Sequence, residues 1–225
     1  MIKNIVNLGD AAIYCDFGEE VTKDVNSKVI KYFRTLKNKN LKGVTNLAPS
    51  YNKLIVTFDL NETTFIELKN NILNLKLDDE SKNENSKISI PICCDKEYSL
   101  DIDRLEEKLN KSKSDIIKIF INKNYFCYMT GFVAGMPFLG DIDNKIHLNR
   151  LETPRVKVPK GSVGITEQFC NVYTFESPGG WNIIGNTPLS IFDSTHKKKP
   201  NLINPGDEIT FYEISKKDYI KFYEK

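Results

Sequence analysis

Apolar and polar positions follow two different rhythms along this chain. The first part is dominated by a helical period set between strand-like runs. Residues 11–17 (AAIYCDF) read as a short strand ending at Gly18, and Thr22 then caps a helix with Val25, Val29, Tyr32, Phe33 and Leu36 on one stripe. Residues 52–58 (NKLIVTF) read as a strand, with a partner at 43–47. A second helix starts at Thr64, where Glu67 completes a capping box, and it buries Phe65, Leu68 and Ile72. This β-α-β-β-α order predicts a split-βαβ, ferredoxin-like sandwich, in which no set of residues has a catalytic pattern.

Residues 77–87 (LDDESKNENSK) carry no apolar side chain after Leu77 and mix both charges, as a linker does. They divide the chain into a domain at 1–86 and another at 87–225. The run 88–92 (ISIPI) alternates like a strand that Pro91 pushes toward an edge, and it either completes the first domain or opens the second. Two short helices follow. One spans 101–110 with Ile102, Leu105 and Leu109 on a face; the other starts at Ser112 with Asp115 and carries Ile116, Ile117, Phe120 and Ile121. From Tyr125 to Ile214 short β-type runs alternate with Gly/Pro turns, which predicts a closed or nearly closed antiparallel β structure. The fold class is therefore α+β.

Composition narrows the picture. The 32 basic and 30 acidic residues leave a net charge of +2, so nothing pulls the chain toward nucleic acid, and Lys197–Lys199 beside Pro200 read as a solvated turn. Five cysteines without a CxxC, two of them adjacent, do not make a secreted disulfide framework. Polar residues interrupt the apolar run of the N-terminus, and no segment approaches the ~20 apolar residues that span a bilayer. A reducing cytoplasm is the expected location, with no membrane partner.

Three Gly/Pro-rich stretches crowd the second domain. In TGFVAGMPFLGD (130–141) the glycines match neither the Walker loop nor the dinucleotide fingerprint, which leaves a backbone-lined anion site or a structural loop. In PRVKVPKGSVGI (154–165) a strand leads into a type I turn with Pro159 second and Gly161 fourth. Arg155 there is either a clamp for a carboxylate or phosphate or a strand arginine in a salt bridge. In ESPGGW (176–181) Pro178 and Gly179 fit a type II turn joining strands at 172–176 and 181–184. That hairpin leaves Gly180 and Gly185 unexplained, because glycine weakens a strand unless something approaches its backbone closely.

Common catalytic constellations are missing. With only His147 and His196 there is no multi-histidine metal site, and neither a GxSxG elbow nor an HExxH is present. Cys170 reads as a small buried hydrophobe. Asp141 and Asp143 (GDIDN) suit magnesium or acid–base work, or simply turn formation.

Taken in order and spacing, GFVAGMPFLG, PRVKVPKGSVGI, ESPGGWNIIGNTP, INPGDEITFYEI (203–214) and IPIC (90–93) resemble the KipI family. GDAAIYCDFG and YNKLIVTFD near the N-terminus also fit. The family is also known as the B component of 5-oxoprolinase, allophanate hydrolase subunit 1 or the carboxyltransferase-domain subunit. The resemblance covers nearly the whole chain. It implies a ferredoxin-like N-terminal domain and a cyclophilin-like β-barrel with its glycine-rich loops gathered on one face. It also implies one part of a multi-subunit enzyme that opens 5-oxo-L-proline to L-glutamate with ATP cleavage, inactive alone. The unstrained lactam resists hydrolysis, so phosphorylating its amide oxygen makes chemical sense. ATP, with or without magnesium, is the implied cofactor. The implied partners are the KipA-type C component and the LamB/YcsF-type A component of the same 5-oxoprolinase, together with a small amide substrate.

On these grounds Arg155 and Ser162 are the catalytic candidates, Arg155 holding an anionic group and Ser162 making a polar contact. Gly131, Phe132, Gly135, Pro137, Tyr173, Ser177, Gly179, Gly180 and Trp181 are the candidates for binding substrate or nucleotide. No protein metal ligand is expected. The chain departs from the family at Phe120, where a histidine is usual, and at 167–171, where EQFCN replaces a Gly-x-Gln-Thr-Gly run. Asn171 can adopt the left-handed conformation of that last glycine, but Phe169 and Cys170 remove polar contacts. Two alternatives stay open: an inhibitor that binds the dimerisation helices of a sporulation histidine kinase, and a urea- or allophanate-metabolising subunit.

Overall fold

The computed structural model describes residues 1–77 and 85–222, so most of the linker expected at 77–87 lies outside the described residues. The chain divides into two compact units, Met1–Glu84 and Asn85–Lys225.

The N-terminal unit is a four-stranded antiparallel sheet with two helices. Its strands are β1 (Asn4–Asn7), β2 (Ala12–Asp16), β3 (Val44–Pro49) and β4 (Lys53–Phe58), in the spatial order β1-β2-β4-β3. Ile13 pairs with Val56 and Cys15 with Leu54, so one face of the two central strands is fully buried. Helices α1 (Lys23–Lys39) and α2 (Phe65–Leu73) supply Val29, Leu36, Leu68 and Ile72 to that core. Both start where the sequence directs: Thr22 accepts the Val25 N–H, and Thr64 and Glu67 bond each other's backbone N–H reciprocally. The expected order is corrected in one respect. The strand beyond β2 is not one that follows α2 but β1, which precedes everything else; only Ile5 of its four residues is buried, too little for a pattern.

The C-terminal unit is a curled seven-stranded sheet with a two-stranded ribbon. The sheet contains β5 (Lys87–Ile92), β6 (Asn124–Thr130), β7 (Pro137–Gly140), β9 (Ser162–Thr166), β10 (Phe169–Val172), β12 (Asn182–Asn186) and β13 (Glu208–Glu213), in the order β12-β9-β10-β7-β6-β13-β5. The ribbon pairs β8 (Arg155–Val158) with β11 (Ser177–Gly179). The strand at 88–92 thus opens this unit, and Pro91 sits on an edge strand as its missing N–H requires. The expected antiparallel pattern is corrected at this edge, since β5 runs parallel to β13. Among the described residues, closure is confined to one bridge. Just beyond β5, the Cys93 N–H donates to the Asn186 carbonyl at 2.8 Å and the Cys93 carbonyl accepts the Asn186 N–H at 3.0 Å, joining the two edges.

Helices α3 (Ile102–Leu109) and α4 (Lys113–Ile121) pack on the sheet through Ile102, Leu105, Ile116, Ile117 and Phe120. Phe120 stacks near Tyr125 and Phe211, and its carbonyl accepts the Tyr125 hydroxyl at 2.7 Å. Phe120, where the resemblance leads to the expectation of a histidine, is therefore core in this chain. A last helix, α5 (Lys216–Lys221), has no counterpart in the sequence reading; Ser215 caps it, and its buried Tyr219 hydroxyl donates to Asn186 Oδ1 at 2.8 Å.

Candidate functional site

The three Gly/Pro-rich stretches meet. A second apolar cluster, separate from the sheet's main core, takes Met136, Val133 and Phe138 from the first stretch, Val158 from the second, and Tyr173 and Ile183 from the third. Alternation along β10 explains the split: Cys170 and Val172 face the main core, whereas Asn171 Nδ2 reaches Met136 Sδ at 3.6 Å in the second cluster. The Cys170 thiol is fully buried and pushed well above its usual range by desolvation, as befits a core residue.

Residues 177–179 do not form the expected hairpin turn. They are the strand β11, which pairs with β8 so that Ser177 faces Val158 and Gly179 faces Arg155. Gly179 does not have a positive φ; a Cβ there would lie 2.1 Å from the Tyr173 hydroxyl oxygen, so the residue is glycine for space. The neighbouring turn is corrected as well. Ser162 N–H bonds the Pro159 carbonyl at 3.2 Å and Gly161 has φ +81°, which makes Gly161 the third residue of a turn starting at Pro159. Asn171 lies in β10 without a positive φ; the left-handed residue of the 167–171 run is Glu167, at φ +46°.

The surplus glycines have partners. A Cβ on Gly180 would be 3.0 Å from Arg150 Nη2, and one on Gly185 would be 2.7 Å from Ile92 Cγ1 and 2.8 Å from the Cys93 carbonyl oxygen. In the first stretch Gly135 (φ +68°) makes room for the Phe192 ring, Gly131 for the Met129 methyl, and Pro137 is buried at the start of β7. The N–H groups of Gly131, Val133 and Met136 bond carbonyls within that same loop, so they do not converge on an anion. Phe132 stands 70% exposed with φ +69°.

Arg155 is engaged. Its Nη1 and Nη2 donate to Asp101 Oδ2 at 2.9 Å and Oδ1 at 2.6 Å, and Asp101 is buried. Ser162 is buried too, its hydroxyl 3.5 Å from Asn186 Nδ2. Trp181 stacks edge-on against Phe138. Tyr173 lies at the centre of the group: burial pushes its hydroxyl up, while the Asn171 side chain and the Arg150 and Arg155 charges act in the opposite sense. Among the described residues, the buried Asn171 Oδ1 and Ser177 Oγ have no hydrogen-bond partner. Asp141 accepts the Tyr128 hydroxyl at 3.0 Å and Asp143 caps the short 3-10 turn Asn144–Ile146, so both carboxylates serve local structure.

Beside this group runs an open cleft of about 820 Å³ lined by Arg104, His147, Arg150, Glu152, Pro154 and Glu167 among others. Arg104 Nη1 donates to the buried Asn182 Oδ1, and Asn182 Nδ2 is itself fixed by the Asn149 and Ile165 carbonyls at 3.1 Å. Sequence reasoning missed Asp101, Arg104 and Arg150. One signal was available: only Arg34, Arg104, Arg150 and Arg155 are arginine among 32 basic residues, and three of these four come together here.

The family model "Carboxyltransferase domain, subdomain C and D" matches residues 3–203. The B component of 5-oxoprolinase from Bacillus subtilis is 31% identical over 98% of this chain and 97% of its own length. Urea amidolyase of Saccharomyces cerevisiae is 22% identical over 96% of this chain, which corresponds to 13% of that protein. The crystal structure of TTHA0988 superposes with a TM-score of 0.82 at 25% identity over 91% of this chain; the chain spans 40% of that protein's length.

Proposed function

This chain belongs to the carboxyltransferase-domain family, subdomains C and D, and from that premise we propose that it is the B component of an ATP-dependent 5-oxoprolinase converting 5-oxo-L-proline to L-glutamate. The observation that carries the reading is the end-to-end match to the Bacillus subtilis B component, in which neither chain extends far beyond the other. We read the N-terminal unit as a ferredoxin-like sheet whose closing strand stands at the N-terminus. The C-terminal unit we read as a cyclophilin-like half-barrel.

The 130–141 loop and the arginine cleft are poor cradles for a nucleoside triphosphate. The Gly131, Val133 and Met136 amides of the 130–141 loop bond its own carbonyls, and the arginine cleft carries Glu152 and Glu167 on its walls, which repel a polyphosphate. We therefore assign the nucleotide to the partner subunits, of KipA type and LamB/YcsF type. In this reading Arg155 acts by holding Asp101 and the β8–β11 ribbon in place, and the face around Tyr173, Gly179, Gly180 and Trp181 adjoins the substrate.

The test is 5-oxoproline-dependent ADP release by the assembled complex, with this chain present or omitted. Turnover that requires the chain supports the reading. A folded, assembled complex that turns over urea-derived amides and leaves 5-oxoproline untouched replaces it with the urea branch, to which the Saccharomyces relative belongs by name.

A further inference from the structure

We infer that the Arg104–Arg150 cleft of the C-terminal unit is a binding site for a small acid carrying one carboxylate and one N–H donor. Four observations converge on it. Both guanidiniums lie against uncharged groups: Arg104 donates to the buried Asn182 amide oxygen, and Arg150 lies along the bare backbone of Gly180, where a Cβ would stand 3.0 Å from its Nη2. Neither is in an ion pair with a carboxylate among the described residues, although Glu152 and Glu167 line the same cleft. By contrast Arg155, a few residues away, is neutralised by two bonds to Asp101. Guanidiniums that line a cleft without a bonded carboxylate keep the planar fork that recognises a ligand carboxylate through parallel hydrogen bonds.

Composition reinforces the point. This chain supplies positive charge almost entirely as lysine, yet both cations in the cleft are arginine. Bulk charge alone does not need the fork; bidentate recognition does.

The opposing carboxylates then select the ligand. Two arginines and two glutamates leave the walls with no net charge, so a triphosphate with about four negative charges meets repulsion that a monoanion largely avoids. Glu152 and Glu167 are acceptors only, and they suit an N–H or ammonium group at the other end of the ligand. A lactam acid or an α-amino acid has both features. Naming the acid as 5-oxo-L-proline or its product L-glutamate rests on the proposed function; the site itself does not.

The experiment is calorimetric titration of the full chain with 5-oxo-L-proline, with L-glutamate and with the neutral carboxamide of 5-oxoproline, repeated on Arg150→Gln and Arg104→Lys after their melting curves are checked. Binding of at least one acid, weakened tenfold or more by Arg150→Gln and by removing the ligand's carboxylate, is the expected result. Equal affinity for acid and carboxamide, or for wild type and Arg150→Gln, overturns the inference. The assembled complex separates the two readings. Unchanged turnover of 5-oxoproline by the Arg150→Gln complex removes the site and leaves the function. Arg150-dependent acid binding in a chain whose complex never opens the lactam keeps the site and removes the function.

Discussion

Asp101 and Arg155 form a two-pronged pair, and the same Asp101 Oδ2 that accepts Arg155 Nη1 also accepts the Ile183 N–H at 2.7 Å. One carboxylate thus ties the start of α3 to β8 and β12. Arg155→Ala leaves that buried carboxylate with backbone partners alone, and we expect it to cost about 3 kcal/mol in urea unfolding. Arg155→Lys keeps the charge without the fork and should recover only part of the loss. Activity lost in Arg155→Ala therefore counts as catalytic only if the melting curve is unchanged; a variant as stable as wild type would show that the pair is not structural.

Gly185 sits where the two edges of the C-terminal sheet are bridged. A methyl group there would be 2.8 Å from the Cys93 carbonyl oxygen, and backbone yields less readily than a side-chain end. Gly185→Ala is expected to destabilise this unit by about 1–3 kcal/mol. Hydrogen exchange should report the loss at the Cys93 and Asn186 amides first. Uniform change across the sheet, or none, would mean that the edges part without consequence.

What the sequence made legible was local. Thr22, Thr64 with Glu67, and Ser112 each announce a helix through a side chain satisfying N–H groups within three residues, and each cap forms as expected. Pro91 placed its strand on an edge by the same kind of short-range logic. The strand pairing of 177–179 was not legible, because Pro-Gly-Gly satisfies turn chemistry by itself while its actual partner, β8, lies some twenty residues earlier. Gly179 reads as a turn glycine, whereas it lies in a strand where the Tyr173 hydroxyl needs the space. The need at Gly180 and Gly185 for something close by was legible; that it is Arg150 and Ile92 was not.

All five cysteines are buried and free, and burial pushes the Cys15 and Cys94 thiols to about 12 and raises the other three. The thiolate is the reactive form, so at pH 8 a thiol titrating near 12 is ionised to only about one part in ten thousand. We expect a disulfide reagent to label none of them in the folded chain within minutes and all five in guanidinium. Rapid labelling of one cysteine in the native protein would place it on the surface.

Asp16 connects acid stability to the N-terminal unit. Its carboxyl is held below the usual range first by the Lys53 ammonium at 2.5 Å, then by the Gly18 N–H at 2.7 Å. Because the folded pKa lies below the unfolded one, the contribution is complete above the ordinary aspartate range near pH 4 and is lost as pH falls through the folded value. Asp16→Asn should lower stability at pH 7 and leave little difference from wild type at pH 2. A gap between the two that stays constant across that interval would show that ionisation of Asp16 is not involved.

Glu167 carries φ +46° in the turn between β9 and β10, a backbone region that favours glycine. An L-residue in that region is strained by roughly 1–2 kcal/mol, and glycine gives back part of the gain through its freer unfolded chain. Glu167→Gly is therefore expected to stabilise the C-terminal unit by about 1 kcal/mol, a rise of some 2–4 °C in its transition. Glu167→Ala removes the same carboxylate but keeps the Cβ, so it should give no such rise, and the pair of variants separates backbone strain from charge. Equal melting of the two would locate the effect in the charge. Both variants also take one acceptor from the arginine cleft. They should weaken a ligand that donates an N–H to that wall and leave the carboxylate end untouched. A more stable chain with poorer affinity for the proposed small acid is then the expected phenotype of Glu167→Gly.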